Sequence, residues 1–277
     1  RYIAKRLAYS YSQAMSEREE FYAEGEIPQQ ETERLRTLEY PSVVSQELLD
    51  NFNLEGKRVL DAGAGANADL LKYVGERGGM YVPMDIQSVM LEKQREGADD
   101  GTKPYFGVLG SVKQLPFQDE SVDFFHQRFV LMNIDPESRQ QDVKEAYRVA
   151  KESVLLLEYN WDTFASDTDQ PVVDEVREAA FEFFSRFATD PHMGTKMSAL
   201  VESALPGATY ELKSFLRKQG PEHMKELLPL INTFHQVSEH RLQDKSLADR
   251  FAQLSQSLTE NPISFVPPEI VAAVIRK

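Results

Sequence analysis

The chain contains no cysteine, which excludes disulfides, thiolate metal sites and cysteine nucleophiles. No apolar run approaches the ~18 residues that a membrane span requires. The opening Arg1-Tyr-Ile-Ala-Lys-Arg-Leu7 carries no apolar core of the signal-peptide kind, so a cytoplasmic location is expected. Basic residues are the scarcer charge. Against 45 Asp and Glu stand only 31 Lys and Arg, giving a formal net charge of −14. A protein that grips duplex phosphates needs a basic surface, and no run of Lys and Arg offers one, so nucleic acid is not expected as a partner. Internal repeats and low-complexity tracts are also missing. What remains is ordinary globular composition over 277 residues, enough for one sizeable core with helical additions.

Along the chain the pattern changes twice. Residues 1–50 read as helical, with Tyr9, Tyr11, Phe21 and Tyr22 supplying the aromatic content of an N-terminal lid, and a helix is expected over 42–52. From Lys57 onward short apolar runs alternate with helical stretches. Strands are expected at 57–61, 80–85, 105–109, 122–127 and 153–158, and helices after 67, from Ser88 and over 136–150. This alternation implies right-handed βαβ units and a parallel sheet. In the last third, Val172, Val173, Val176, Ala180, Phe183, Phe184 and Phe187 recur at helical spacing, a stripe that reads first as core. Further strands are expected at 208–216 and 270–275, with two helices between them. The expected fold is therefore an α/β, Rossmann-like, doubly wound seven-stranded and mostly parallel sheet. Its domain divides into an N-terminal helical lid (1–50), a core (51–220 and 263–277) and a helical insertion (221–262).

Asp61-Ala-Gly63-Ala-Gly65-Ala-Asn67 follows a strand and opens a helix. Glycines there let the backbone approach a ligand, and the helix start offers free N–H groups. The spacing also fits a dinucleotide loop. Asp61, directly ahead of the glycines, suits a ligand ammonium and would repel a pyrophosphate. Asp85 ends the second strand, where a carboxylate accepts hydrogen bonds from ribose hydroxyls. An adenosyl ligand with an amino-acid tail suits the pair better than a dinucleotide.

At this point a resemblance is evident. Val59-Leu-Asp-Ala-Gly-Ala-Gly-Ala-Asn67 resembles motif I of class I S-adenosylmethionine-dependent methyltransferases, and Met84-Asp85-Ile86 resembles motif II. Gly110-Ser-Val-Lys-Gln-Leu-Pro-Phe117 and Asp123-Phe-Phe-His-Gln-Arg-Phe-Val-Leu-Met-Asn-Ile134 are similar to later segments of the ubiquinone/menaquinone type. The resemblance implies S-adenosylmethionine as cofactor. Asp61, Gly63 and Gly65 would cradle its methionine part and Asp85 its ribose. Ile86, Ser111 and Val112 would lie about the adenine, and Gln127, Arg128 and Phe129 would border the sulfonium. Ser111 stands where the family usually has a carboxylate, and Asn133 where many relatives have a histidine.

The implied reaction moves a methyl group to an oxygen, carbon or nitrogen of a small apolar or aromatic molecule. His126, at the end of the fourth strand, and His192, in a loop after the Phe-rich helix, are the candidate general bases. Glu158, Tyr159, Asn160 and Trp161 follow the fifth strand at the carboxyl edge and are candidate acceptor contacts. No spacing of His, Asp and Glu suits a metal, so none is expected. Two other readings are a cofactor-binding protein of this fold without methyl transfer (a cyclase, decarboxylase or regulator) and a nucleotide-dependent oxidoreductase.

Overall fold

In the computed structural model, residues 34–36, 39–98, 105–166, 171–186 and 189–277 are described. Most of the proposed N-terminal lid, including Tyr9, Tyr11, Phe21 and Tyr22, lies outside these residues, as does Phe187. Five parallel strands form the first part of the sheet: β1 (Arg58–Ala62), β2 (Met80–Asp85), β3 (Val108–Leu109), β4 (Val122–Arg128) and β5 (Ala150–Asn160). The last strands are β6 (Thr209–Phe215) and β7 (Glu269–Arg276), and β7 runs antiparallel between β5 and β6. The order across the sheet is β3-β2-β1-β4-β5-β7-β6. Chain order reverses between β1 and β4, so their carboxyl ends open a crevice of the kind in which ligands of such sheets bind.

Strand burial explains why the apolar runs are continuous. In β4, Phe124 packs with α1 (Glu39–Leu49) and α2 (Asp69–Glu76) on one face. Its neighbour Phe125 joins the core on the opposite face, with α4 (Pro136–Val149) and α6 (Met193–Ala204). A strand covered on both sides has no polar positions to spare. The helix α3 (Ser88–Ala98) follows β2.

Two local expectations are corrected. The third strand is only Val108–Leu109, shorter than the expected 105–109, and the helix expected over 42–52 spans Glu39–Leu49. One element, α6, was not expected. It carries Met193, Met197, Val201 and Ala204 on its buried face, a spacing of four and three that the sequence does contain.

A third apolar cluster joins α5 (Pro171–Arg186), α7 (Met224–His240) and α8 (Lys245–Glu260). Phe183 stacks on Phe234 with centroids 4.2 Å apart, and Phe251 meets both. The Asp244 side chain accepts a hydrogen bond from Leu247 N and so caps α8. This helical layer draws on α5, within the range first given to the core, as well as on the 221–262 insertion. No helix among the described residues is long and apolar enough to cross a membrane.

Candidate active site

After β1 the chain turns through Gly63 and Gly65, whose φ angles of +75° and +62° lie in the left-handed region. The N–H groups of Gly63 and Ala64 both donate to Met84 O, at 2.8 and 3.0 Å, pinning the loop to β2. A Cβ on Gly63 would collide with Val130 Cγ2, whereas one on Gly65 would meet nothing within 4 Å. The second glycine therefore faces open space.

Asp85 closes this loop from below. Its Oδ2 accepts the Gly65 N–H and its Oδ1 the Gln87 N–H, each at 2.9 Å. Burial pushes its pKa up to about 6, against the pull of those two N–H bonds. Asn67 fastens the far end of the loop. Its Oδ1 accepts from Asp69 N at 2.9 Å and Ser42 Oγ at 3.2 Å, tying the loop to α1.

From here a cavity of ≈ 410 Å³ runs into the helical layer. One end is bounded by Gly63, Gly65, Asp85, Ile86, Ser111 and Val112. The other is bounded by Trp161, Phe183, Phe184, Phe234 and Phe265. Between them stand Arg128, Phe129 and Tyr159. Phe129 holds a left-handed φ of 59°, unusual for an aromatic residue. Its ring stacks on Tyr159 with centroids 3.9 Å apart and planes 7° from parallel, and its N–H donates to Leu157 O.

The glycine loop and the buried Asp85 at the β1/β4 crevice suit an adenosyl ligand: space where a Cβ would otherwise stand, a carboxylate beside it, and the apolar Ile86 and Val112 as walls. The sheet order separates this site from dinucleotide-binding domains, whose six strands run 3-2-1-4-5-6 in one direction. The family model of the methyltransferase domain matches residues 60–157. Over this stretch the chain is similar to class I methyltransferase domains. S-adenosylmethionine is the cofactor of this domain, and when bound it supplies the sulfonium methyl group.

Solved structures agree on the fold. The YcgJ protein of Bacillus subtilis is 19% identical with a TM-score of 0.55, over 86% of this chain and 98% of that one. The phosphoethanolamine N-methyltransferase 2 of Haemonchus contortus, solved with S-adenosyl-L-methionine, is 13% identical with a TM-score of 0.59, over 95% and 60%. The [4+2]-cyclase SpnF is 12% identical with a TM-score of 0.52, over 85% and 81%. No curated protein matches in sequence.

Of the residues singled out from the sequence, Gly63, Gly65, Asp85, Ile86, Ser111, Val112, Arg128, Phe129, Tyr159 and Trp161 line the cavity. Six do not. Asp61 is buried beneath the loop, with Oδ2 accepting from the Tyr81 hydroxyl at 2.5 Å and Oδ1 2.7 Å from His126 Nδ1. Burial pushes this carboxyl upward, but His126, Arg128 and the Tyr81 hydroxyl together hold it below the usual range. His126 is itself fully buried between Asp61 and Ser45 Oγ, the latter at 2.9 Å, so it has no face on the cavity. Gln127 points to the opposite side of β4, donating to Asp142 at 3.3 Å. Glu158 is buried under the turn at 131–133 and accepts the Leu131 N–H at 2.7 Å. Asn160 caps the next turn, and His192 pairs with Asp162 on the surface at 2.7 Å.

The structure adds residues that the sequence did not single out. Arg217, His223 and Glu226 also line the cavity, beside Asn133. His223 Nε2 lies 2.9 Å from Lys218 O. A carbonyl only accepts, so Nε2 carries the proton and Nδ1 is the acceptor in the neutral ring. No motif marks His223. Only its place at the start of an amphipathic helix hints at it.

Proposed function

We propose that this protein transfers the methyl group of S-adenosylmethionine to an oxygen, carbon or nitrogen of a small apolar or aromatic molecule held in the helical half of the cavity. The observation that carries this reading is the continuity of one cavity from the glycine loop and Asp85 to Phe183, Phe184, Phe234 and Phe265. In this reading Gly63, Gly65 and the N–H groups near them receive the amino-acid end of the cofactor. Asp85 takes the ribose hydroxyls, while Ile86, Ser111 and Val112 border the adenine. Phe129 and Tyr159, stacked on each other, stand between cofactor and acceptor and keep water from the reacting centre.

Methyl transfer from a sulfonium is an in-line displacement, so positioning supplies much of the rate. A base is needed only where the acceptor must lose a proton. With His126 and His192 away from the cavity, His223 is the imidazole at hand, its Nδ1 free of the Lys218 contact. A non-methylating reaction on the same fold is the second reading. It is favoured by the absence of either expected histidine from the cavity wall, and SpnF shares the fold. Incubation with S-adenosylmethionine and a panel of phenols, indoles and aromatic amines, followed by measurement of S-adenosylhomocysteine, tests the first reading. Accumulation with one class supports it. Tight cofactor binding with no S-adenosylhomocysteine formed from any class would favour the second.

A further inference from the structure

The cavity is unlike the rest of this acidic chain. Its walls carry Arg34, Arg128, Arg217 and Arg241 against two carboxylates among the described residues, Asp85 and Glu226. Both carboxylates are engaged: Asp85 by the Gly65 and Gln87 N–H groups, and Glu226 by Arg217 Nη1 at 2.8 Å. A site of this sign inside a protein of net charge −14 concentrates anions locally against the overall field.

Arg217 is held on two sides. It follows β6, and its guanidinium lies over the Tyr40 ring, 4.3 Å from the centroid. Glu226 takes one terminal nitrogen, yet the Nε–H is buried and has no hydrogen-bond partner among the described residues. The Tyr159 phenol lies within the field of the same guanidinium. A buried charged donor left unmet is costly; a cationic guest would leave it so, and a carboxylate would meet it with a stronger, charge-assisted bond than a neutral acceptor does. Around this polar spot the surface is aromatic, with Phe183, Phe184, Phe234 and Phe265.

We infer that the methyl acceptor is an aromatic or apolar acid, whose carboxylate is read by Arg217 and Tyr159 while its body lies among the phenylalanines. Arg217 is then a specificity residue, and the inference rests on the helical half of the cavity being the acceptor site. The amino-acid carboxylate of the cofactor is a second anion that Arg217 could serve, and the test separates the two.

The experiment is calorimetric titration of the full chain, first with S-adenosylhomocysteine and then, when loaded, with benzoate, cinnamate and indole acetate. Their primary amides and phenethylamine serve as neutral and cationic counterparts. At least one acid should bind about tenfold or more tighter than its amide, the scale of a charge-assisted hydrogen bond. Arg217→Gln should bring the pair to within about twofold, Arg217→Lys should keep part of the preference, and neither should change S-adenosylhomocysteine affinity by more than about twofold. Equal binding of acids and amides, preference for the amine, or no binding of any acid in the millimolar range would overturn the inference. So would loss of S-adenosylhomocysteine binding in Arg217→Gln, which would assign the guanidinium to the cofactor. Failure of the unmodified protein to take up S-adenosylhomocysteine would strike the underlying reading instead, and is seen before any acid is added.

Discussion

His126 Nδ1 lies 2.7 Å from Asp61 Oδ1, and both side chains are almost wholly buried. The pair continues through Ser45 on one side and Tyr81 on the other, so the residue that begins the glycine loop is locked to α1 and to β2. Its carboxylate holds the site from behind. Removing one member of a buried pair leaves the other uncompensated, which costs about 3–5 kcal/mol. Asp61→Asn is accordingly expected to lower stability by that order in urea melts, while weakening S-adenosylhomocysteine binding less than Asp85→Ala does. A variant of normal stability with abolished binding would return Asp61 to direct contact with the cofactor.

The two glycines of the loop should respond differently to the same change. Gly63→Ala meets Val130 Cγ2 as well as an unfavourable φ, and overpacking of this kind costs about 1–3 kcal/mol on top of the backbone strain. Gly65→Ala meets only its backbone penalty, about 1–2 kcal/mol. Its new methyl would stand in the cavity, so folding should survive while cofactor affinity falls. Thermal melts of both variants, with and without S-adenosylhomocysteine, distinguish the two effects.

Asp85 gives the site a pH dependence of known sign. Burial raises its pKa to about 6, and ribose hydroxyls would bind the ionised form. Cofactor affinity should therefore rise with pH through that value and level off above it. One unit below, it should be about tenfold weaker. Asp85→Asn should flatten the curve at a low affinity. A profile independent of pH in the unmodified protein would remove Asp85 from the ligand contacts.

Glu158 acts on the turn that shapes the cavity rather than on the cavity. Its Oε1 accepts the Leu131 N–H, its Oε2 has no hydrogen-bond partner among the described residues, and burial pushes its pKa up to about 8. The folded state thus keeps a proton that an unfolded glutamate releases near ~4.3. Stability falls as pH rises across that window and is flat above it. Glu158→Gln keeps the acceptor and cannot ionise, so it should flatten this decline. Glu158→Ala strands the Leu131 N–H, at a cost of about 1–3 kcal/mol. Urea melts at several pH values test both.

The core of this protein was legible because its strands carry one unbroken apolar signal. Phe124 and Phe125 are each buried on opposite faces, and Val59, Leu60, Val154 and Leu155 behave alike. The glycine loop and Asp85 were legible because left-handed φ and a strand-end carboxylate demand those residues. His126 and Asp61 lie off the cavity, which was not legible because sequence position gives the strand end and not the direction of the side chain; here His126 points under the loop toward Ser45. Arg217, His223 and Glu226 were missed for another reason. They sit close together in the chain, at the link between β6 and the first turn of α7, where no motif marks them. The Phe183 and Phe184 stripe, which reads as core, serves as core and cavity wall together.

Calorimetric titration with S-adenosylmethionine, S-adenosylhomocysteine and NAD, on the unmodified protein and on Asp85→Ala, decides whether the glycine loop and Asp85 form an adenosyl site. Both adenosyl ligands should bind, the variant should weaken them, and NAD should not bind. Binding of NAD in preference to the adenosyl ligands, or no binding of either adenosyl ligand, would contradict this.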